Sequence, residues 1–146
     1  MRIINLRNKE KRVRVMCFGT FDLLHPGHLS FLRQAKMLGD FLIVSIARDA
    51  NVKKIKGTSP LLAERDRREL VANLSMVDQA VFGDRTGYLS HVLRQKPDII
   101  ALGYDQAAYV VQLKKDIAAG RLHVKIVRLK PHHPKRYKSA LIKKRF

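Results

Sequence analysis

At 146 residues, 46% apolar and 29% charged, the chain has the size and composition of one globular domain with one core. No apolar run reaches the ~18 residues that a membrane-crossing helix needs, and one cysteine, Cys17, excludes an internal disulfide. The net charge of +18 points to polyanions, yet six Lys/Arg against one acid in residues 1–14 and eight against none in 128–146 put +13 of it in the two ends.

Residues 1–12 are a polar, basic lead-in with no long apolar stretch, so no secretory signal is expected there and the cytoplasm is the default compartment. Residues 13–18 are an apolar run that reads as a buried strand. Leu29, Phe31, Leu32, Ala35 and Leu38 then recur at helical spacing, so a helix covers 27–38 and Gly39 caps it. Residues 41–46 are a second buried strand. The stretch 47–60 shows no periodicity and reads as a loop carrying Arg48, Asp49, Lys53, Lys54 and Lys56; long loops of this kind often act as lids. A second helix over 61–74, a short strand over 77–83 and a third helix over 86–95 follow, the last ended by Lys96-Pro97. Residues 98–102 make the fourth strand, 103–106 a turn, 108–119 a helix that closes at Gly120, and 123–127 the fifth strand. A loop over 128–137 with two prolines and a short helix over 139–146 complete the chain.

Strands and helices alternate five times. This pattern predicts an α/β, Rossmann-like fold: a five-stranded parallel sheet with helices on both faces and right-handed crossovers, in one domain over 1–146. Ligands of such sheets bind beyond the carboxyl ends of the strands, at the point where strand order reverses. The turn after strand one, the lysine-bearing stretch after strand two and the turn after strand four should therefore meet at one edge.

The turn after strand one reads Gly19-Thr20-Phe21-Asp22-Leu23-Leu24-His25-Pro26-Gly27-His28. Gly19 permits a sharp turn, and Pro26 suits the first helical position. Gly27 leaves backbone N–H groups uncovered at a helix start, where N–H groups and the helix dipole attract phosphate. His25 and His28 are three apart and share one face of the first turn. Two imidazoles beside a phosphate-binding helix end suit a triphosphate and the charge that builds on it during transfer.

Gly-Thr-Phe-Asp-x-x-His-x-Gly-His resembles the signature of the cytidylyltransferase-like nucleotidyltransferases, which move a nucleotidyl group from a nucleoside triphosphate to a phosphorylated small molecule. The resemblance implies that His25 and His28 act on the phosphates, with Gly19, Thr20, Phe21 and Gly27 around the nucleotide. It also implies a lysine of the 47–60 stretch at the reacting centre, Lys53 or Lys54 first and Lys56 beside them. Aligning Val77-Asp78 with the family's equivalent pair puts a phosphate- or acceptor-binding arginine at Arg67, although a surface helix face explains the neighbouring Arg65 and Arg68 as well. Gly103-Tyr104-Asp105-Gln106 resembles the family's Gly-x-Asp turn, which holds the nucleotide through Gly103 and Asp105.

Over residues 13–127 the chain is most similar to the archaeal FAD synthase branch of that superfamily. The similarity lies in residues 19–28, Ile46-Ala47-Arg48-Asp49, Val77-Asp78 and the block from Lys96 to Gln106. After Gln106 the branch has an acidic stretch, where this chain has Ala107-Ala108-Tyr109-Val110. The resemblance implies ATP and FMN as substrates, FAD and pyrophosphate as products, Mg²⁺ travelling with the triphosphate, and a homodimer. The alternative is a CTP-dependent enzyme acting on glycerol 3-phosphate or another alcohol phosphate. Against it, that family's Arg-Thr-x-Gly-Ile-Ser-Thr-Thr is replaced here by Arg136-Tyr137-Lys138-Ser139-Ala140-Leu141-Ile142. In this segment Ser139 is a helix N-cap able to touch phosphate, and Arg136 is a candidate acceptor-phosphate ligand. Tyr104, Tyr109 and Tyr137 are candidates for an aromatic wall around a flavin. A nucleic-acid-binding protein on a degenerate enzyme fold is the rival of another class. No base-stacking aromatic pattern accompanies the charge, and the turn at 19–28 is intact.

Overall fold

The structure is a computed structural model that describes residues 12–85 and 87–132. Five parallel strands, β1 (Arg14–Gly19), β2 (Phe41–Ile46), β3 (Gln79–Phe82), β4 (Ile99–Leu102) and β5 (Lys125–Arg128), form one sheet in the order β3-β2-β1-β4-β5. The helices are α1 (Pro26–Met37), α2 (Asp49–Lys56), α3 (Glu64–Ala72), α4 (Tyr88–Gln95) and α5 (Val110–Ala118). The expected last helix over 139–146 lies outside the described residues.

The strands are nearly continuous apolar runs because both faces of the sheet are covered. Alternation along each strand divides the core into two layers. Val15, Cys17, Leu42, Val44 and Ala101 face α1 and α3, meeting Leu32, Ala35 and Val71. Met16, Ile43, Ile100 and Leu102 face α4 and α5, meeting Val92, Val110 and Leu113. Burial in the first layer drives the Cys17 thiol strongly upward in pKa, so it stays protonated and inert.

Three aspartates fix the amino edge of the sheet. Asp40, Asp78 and Asp98 each stand one residue before a strand, and their carboxylates accept from Val13 N–H (2.8 Å), Leu42 N–H (2.7 Å) and Arg14 N–H (2.8 Å). Each of them stitches its own strand to the next strand in the sheet. The carboxyl edge opens into the cleft described below.

The stretch expected as a loop, 47–60, contains α2. It forms because Val52 is buried, Asp49 stands in the first turn, and Gly57 takes the left-handed conformation (φ 81°) that ends the helix with its N–H on Lys53 O (2.8 Å). With one buried residue in eight, an apolar stripe is too weak to show in the sequence.

Candidate active site

Between α2, the carboxyl ends of the strands and the start of α1 lies an open cleft of about 1080 Å³, at the upper end of single-ligand pockets. The three segments expected to converge do so. Residues of the 19–28 turn, of α2 and of the 103–106 turn all line it, as do Lys130, Pro131 and His132 at the start of the tail.

The turn after β1 is held by buried groups. Phe21 is 4% exposed and takes φ 51°, unusual for a residue with a side chain. Gly19, expected to supply the freedom for the turn, instead makes room: a Cβ there would run into the Phe21 ring. Asp22, 3% exposed, accepts from Leu61 N–H and Leu62 N–H, both at 2.8 Å.

His25 and His28 form a cap built from imidazoles. His25 Nδ1 accepts from Gly27 N–H (3.1 Å), and His28 Nδ1 accepts from His25 N–H (3.3 Å). The rings stack at 3.8 Å, and His28 meets the edge of Phe21 at 5.3 Å. The Gly27 N–H expected to stand open is therefore occupied by His25. With both Nδ1 atoms accepting, each neutral ring carries its proton on Nε2. His28 lines the cleft. Burial lowers its pKa to about 4, helped by His25 and Lys56 and opposed by the Leu23 backbone; burial also lowers that of His25. Both rings are thus held in the neutral form, and of the two only His28 lines the cleft; His25 does not.

Of the three lysines, Lys54 and Lys56 line the cleft; Lys53, ranked first together with Lys54 from sequence, does not. Lys56 Nζ lies 3.5 Å from Thr20 Oγ1, so α2 touches the signature turn at its last residue.

Arg67 corrects a second expectation. Its side chain is fully buried and away from the cleft wall. Nε donates to Leu62 O (2.9 Å), Nη1 to Thr20 O (2.7 Å), and Nη2 to Ala47 O (2.9 Å) and Asp49 (2.5 Å). It ties the signature turn, the end of β2, α2 and α3 together and has no face to offer a phosphate. The sequence shows an arginine in a run of charged residues; only the fold shows that this one points inward.

At the end of β4, Gln106 bridges two strands: its Oε1 accepts from Gly103 N–H (2.8 Å) and its Nε2 donates to Phe18 O (2.9 Å). Arg128 Nη1 donates to Gly103 O and Gln106 O, both at 2.8 Å. Gly103 and Asp105 line the cleft. Tyr104 and Tyr109 line it as well, with Tyr88, which the sequence reading left out. Tyr137, Arg136 and Ser139 lie outside the described residues.

The sequence reading also missed Ser45, Asn51, Asp84 and His91 on the wall above β2 and β3. Ser45 gave a signal, as the one polar residue within Phe41-Leu42-Ile43-Val44-Ser45-Ile46.

Among the described residues no three His, Cys, Asp or Glu side chains gather in a way that would hold a metal ion, and no helix is long and apolar enough to cross a membrane.

The family model for cytidylyltransferase-like proteins matches residues 16–145. FAD synthase of Thermococcus sibiricus is 40% identical over 136 residues, covering 92% of this chain and 89% of that protein. FAD synthase of Archaeoglobus profundus is 43% identical over 118 residues, covering 81% and 75%. Among solved structures, a lipopolysaccharide core biosynthesis protein from Thermoplasma volcanium superposes with a TM-score of 0.77 at 40% identity, covering 83% of this chain and 98% of that one. Pantoate-beta-alanine ligase from Francisella tularensis, at 17% identity and a TM-score of 0.61, shares the fold. The signature turn lies near the start of the matched region, and the chain belongs to the cytidylyltransferase-like family.

Proposed function

We propose that this chain is a nucleotidyltransferase that moves AMP from ATP to FMN, giving FAD and pyrophosphate. The observation that carries the reading is the cleft in which His28, two lysines of α2 and the 103–106 turn converge, in a chain 40–44% identical to FAD synthases over most of its length.

The chemistry exchanges one phosphoanhydride for another. A phosphate oxygen of FMN attacks the α-phosphorus in line, the bond from that phosphorus to the bridging oxygen breaks, and pyrophosphate departs with the electron pair. No group on the protein needs to be acylated or phosphorylated. The protein has to hold two anions in line and stabilise the charge that develops on the equatorial and leaving oxygens. His25 and His28 supply neutral N–H donors, and Lys54 and Lys56 supply charge from a helix that reaches Thr20. Gly103 and Asp105 hold the nucleotide on the β4 side, with Ser139 and Arg136 of the tail as further phosphate contacts. Tyr88, Tyr104 and Tyr109 offer aromatic surface to the rings. Mg²⁺ arrives as part of the nucleotide substrate. A homodimer is part of the proposal, and light scattering on the purified chain tests it.

The experiment is a panel of nucleoside triphosphates against phosphorylated acceptors, followed by pyrophosphate release. ATP with FMN should be the productive pair, with FMN bound in the micromolar range, about −8 kcal/mol. Release only with CTP and glycerol 3-phosphate would replace this reading with the alcohol-phosphate one. Steeply salt-dependent RNA binding without any transfer would replace both.

A further inference from the structure

The central strand β1 divides the cleft into two halves. The half above β1 and β4 carries the 103–106 turn, already assigned to the nucleotide. The half above β2 and β3 carries a polar pair that the mechanism does not use. Ser45 Oγ and His91 Nε2 lie 2.8 Å apart, each residue is 3% exposed, and both line the cleft. Their neighbours in strand and helix, Val44, Ile46 and Val92, are fully buried and apolar. A hydrogen-bonded pair in such surroundings gains the fold little over two apolar residues of the same shape. The two satisfy each other, and their place in the cleft wall puts that polarity beside a bound ligand.

Asp84 stands on the other side of the ring. Its carboxylate lies 3.9 Å from His91 Nδ1 and is itself held by Arg94 at 2.6 Å. A carboxylate on that side favours the imidazole proton on Nδ1. Nε2 then accepts the Ser45 hydroxyl proton, and Ser45 Oγ keeps its lone pairs as an acceptor. Close by, Asn51 Nδ2 spends one N–H on Asp84 O (3.1 Å) and carries a second. Tyr88 flanks the same wall: its hydroxyl donates to the buried Asp116, and its ring lies 5.6 Å from Tyr109. This half of the cleft therefore combines an aromatic flank with an acceptor and an amide donor at its base.

We propose that Ser45, oriented by His91, accepts the ring N–H of the acceptor's pyrimidine-like edge while Tyr88 and Tyr109 flank its rings, so that selection of a flat, imide-bearing heterocycle resides above β2 and β3. The inference rests on the FMN reading above. An imide edge presents acceptor, donor and acceptor in a row, and an alcohol phosphate has neither ring nor imide. His91 is a positioning residue in this account.

The test titrates the wild-type chain with FMN and with N3-methyl FMN, following flavin fluorescence with a non-hydrolysable ATP analogue present. Blocking the ring N–H should weaken binding by about tenfold or more. Ser45→Ala should weaken FMN by a similar factor and leave N3-methyl FMN where it was, because the two changes remove one hydrogen bond. The ring ¹⁵N signals of His91 should shift on adding FMN to the wild type. Equal affinity for FMN and N3-methyl FMN would overturn the inference and leave the FMN reading standing. Failure of the wild type to bind FMN at all would remove both. Additive losses from Ser45→Ala and N3-methylation would show that Ser45 is not the partner. The N3-methyl comparison and the histidine spectra need no variant, so the folding of Ser45→Ala does not limit the result.

Discussion

The turn at 19–28 and helix α2 border the same cleft and touch where Lys56 Nζ lies 3.5 Å from Thr20 Oγ1, yet they are built in opposite ways. The turn is wired from behind: Arg67 holds the Thr20 carbonyl, Asp22 holds two backbone N–H groups, and Phe21 is buried in an uncommon backbone conformation. Helix α2 has eight residues, one of them buried, and an exposed cationic end that closes on Gly57. A helix that short has no stability of its own; its first turn is anchored through Asp49 to Arg67 and Glu64, and its cationic end extends from that anchor over the cleft. The contrast separates two tasks. In the proposed reaction the imidazoles need a fixed geometry, whereas the lysines need to approach and leave a pair of anionic substrates.

Removing the wiring should have the largest effect. Arg67→Met deletes four hydrogen bonds, frees the Thr20 and Ala47 carbonyls, and should cost about 3–5 kcal/mol in urea denaturation. A loss below about 1 kcal/mol would mean that the turn holds itself.

His28→Ala attacks the other side of the comparison. It should lower the rate of transfer about a hundredfold, about 2.7 kcal/mol of transition-state stabilisation. The cap it helps to build should cost only about 1 kcal/mol of stability. Near-normal kcat would move the reacting centre away from the histidine pair.

Lys56→Ala removes one charged contact from the end of α2. It should cost about 1.5 kcal/mol of catalytic efficiency, close to tenfold, with little change in melting temperature. A large stability loss would show that α2 is structural and erase the contrast.

The last effect is on pH dependence. His28 is held neutral, with its pKa lowered to about 4 chiefly by burial, and those of His25 and His91 are lowered for the same leading reason. The unfolded chain therefore binds more protons than the folded one between about pH 6.5 and 4. Stability should be flat above pH 7 and fall as pH drops through that window. His28→Asn should flatten the fall, as read by urea melts at stepped pH. A rise in stability over the same interval would contradict the neutral-imidazole cap.

The sheet and the signature turn were legible in the sequence because each has a strong local cause. Two-sided burial leaves apolar runs, and Gly-x-x-x-x-x-His-Pro-Gly-His concentrates special residues in ten positions. The rest depended on distance. Arg67 looks like Arg65 and Arg68 until α3 is docked, because which way a side chain faces is decided by packing. Helix α2 escaped notice because one buried valine makes no period. Ser45 and His91 are 46 residues apart and join only across the sheet and α4. The imidazole cap was hidden for a chemical reason: histidine is an uncommon cap, and its Nδ1 accepts here in the neutral form that burial favours.

The central claim is that this cleft joins AMP from ATP to FMN. The most direct measurement is the fate of ATP labelled at its α-phosphate, mixed with FMN, Mg²⁺ and the wild-type chain, with His28→Ala in parallel. The account predicts that the label appears in FAD as pyrophosphate is released, and that His28→Ala slows both together. No label in FAD, with transfer from CTP to glycerol 3-phosphate by the same preparation, would contradict it.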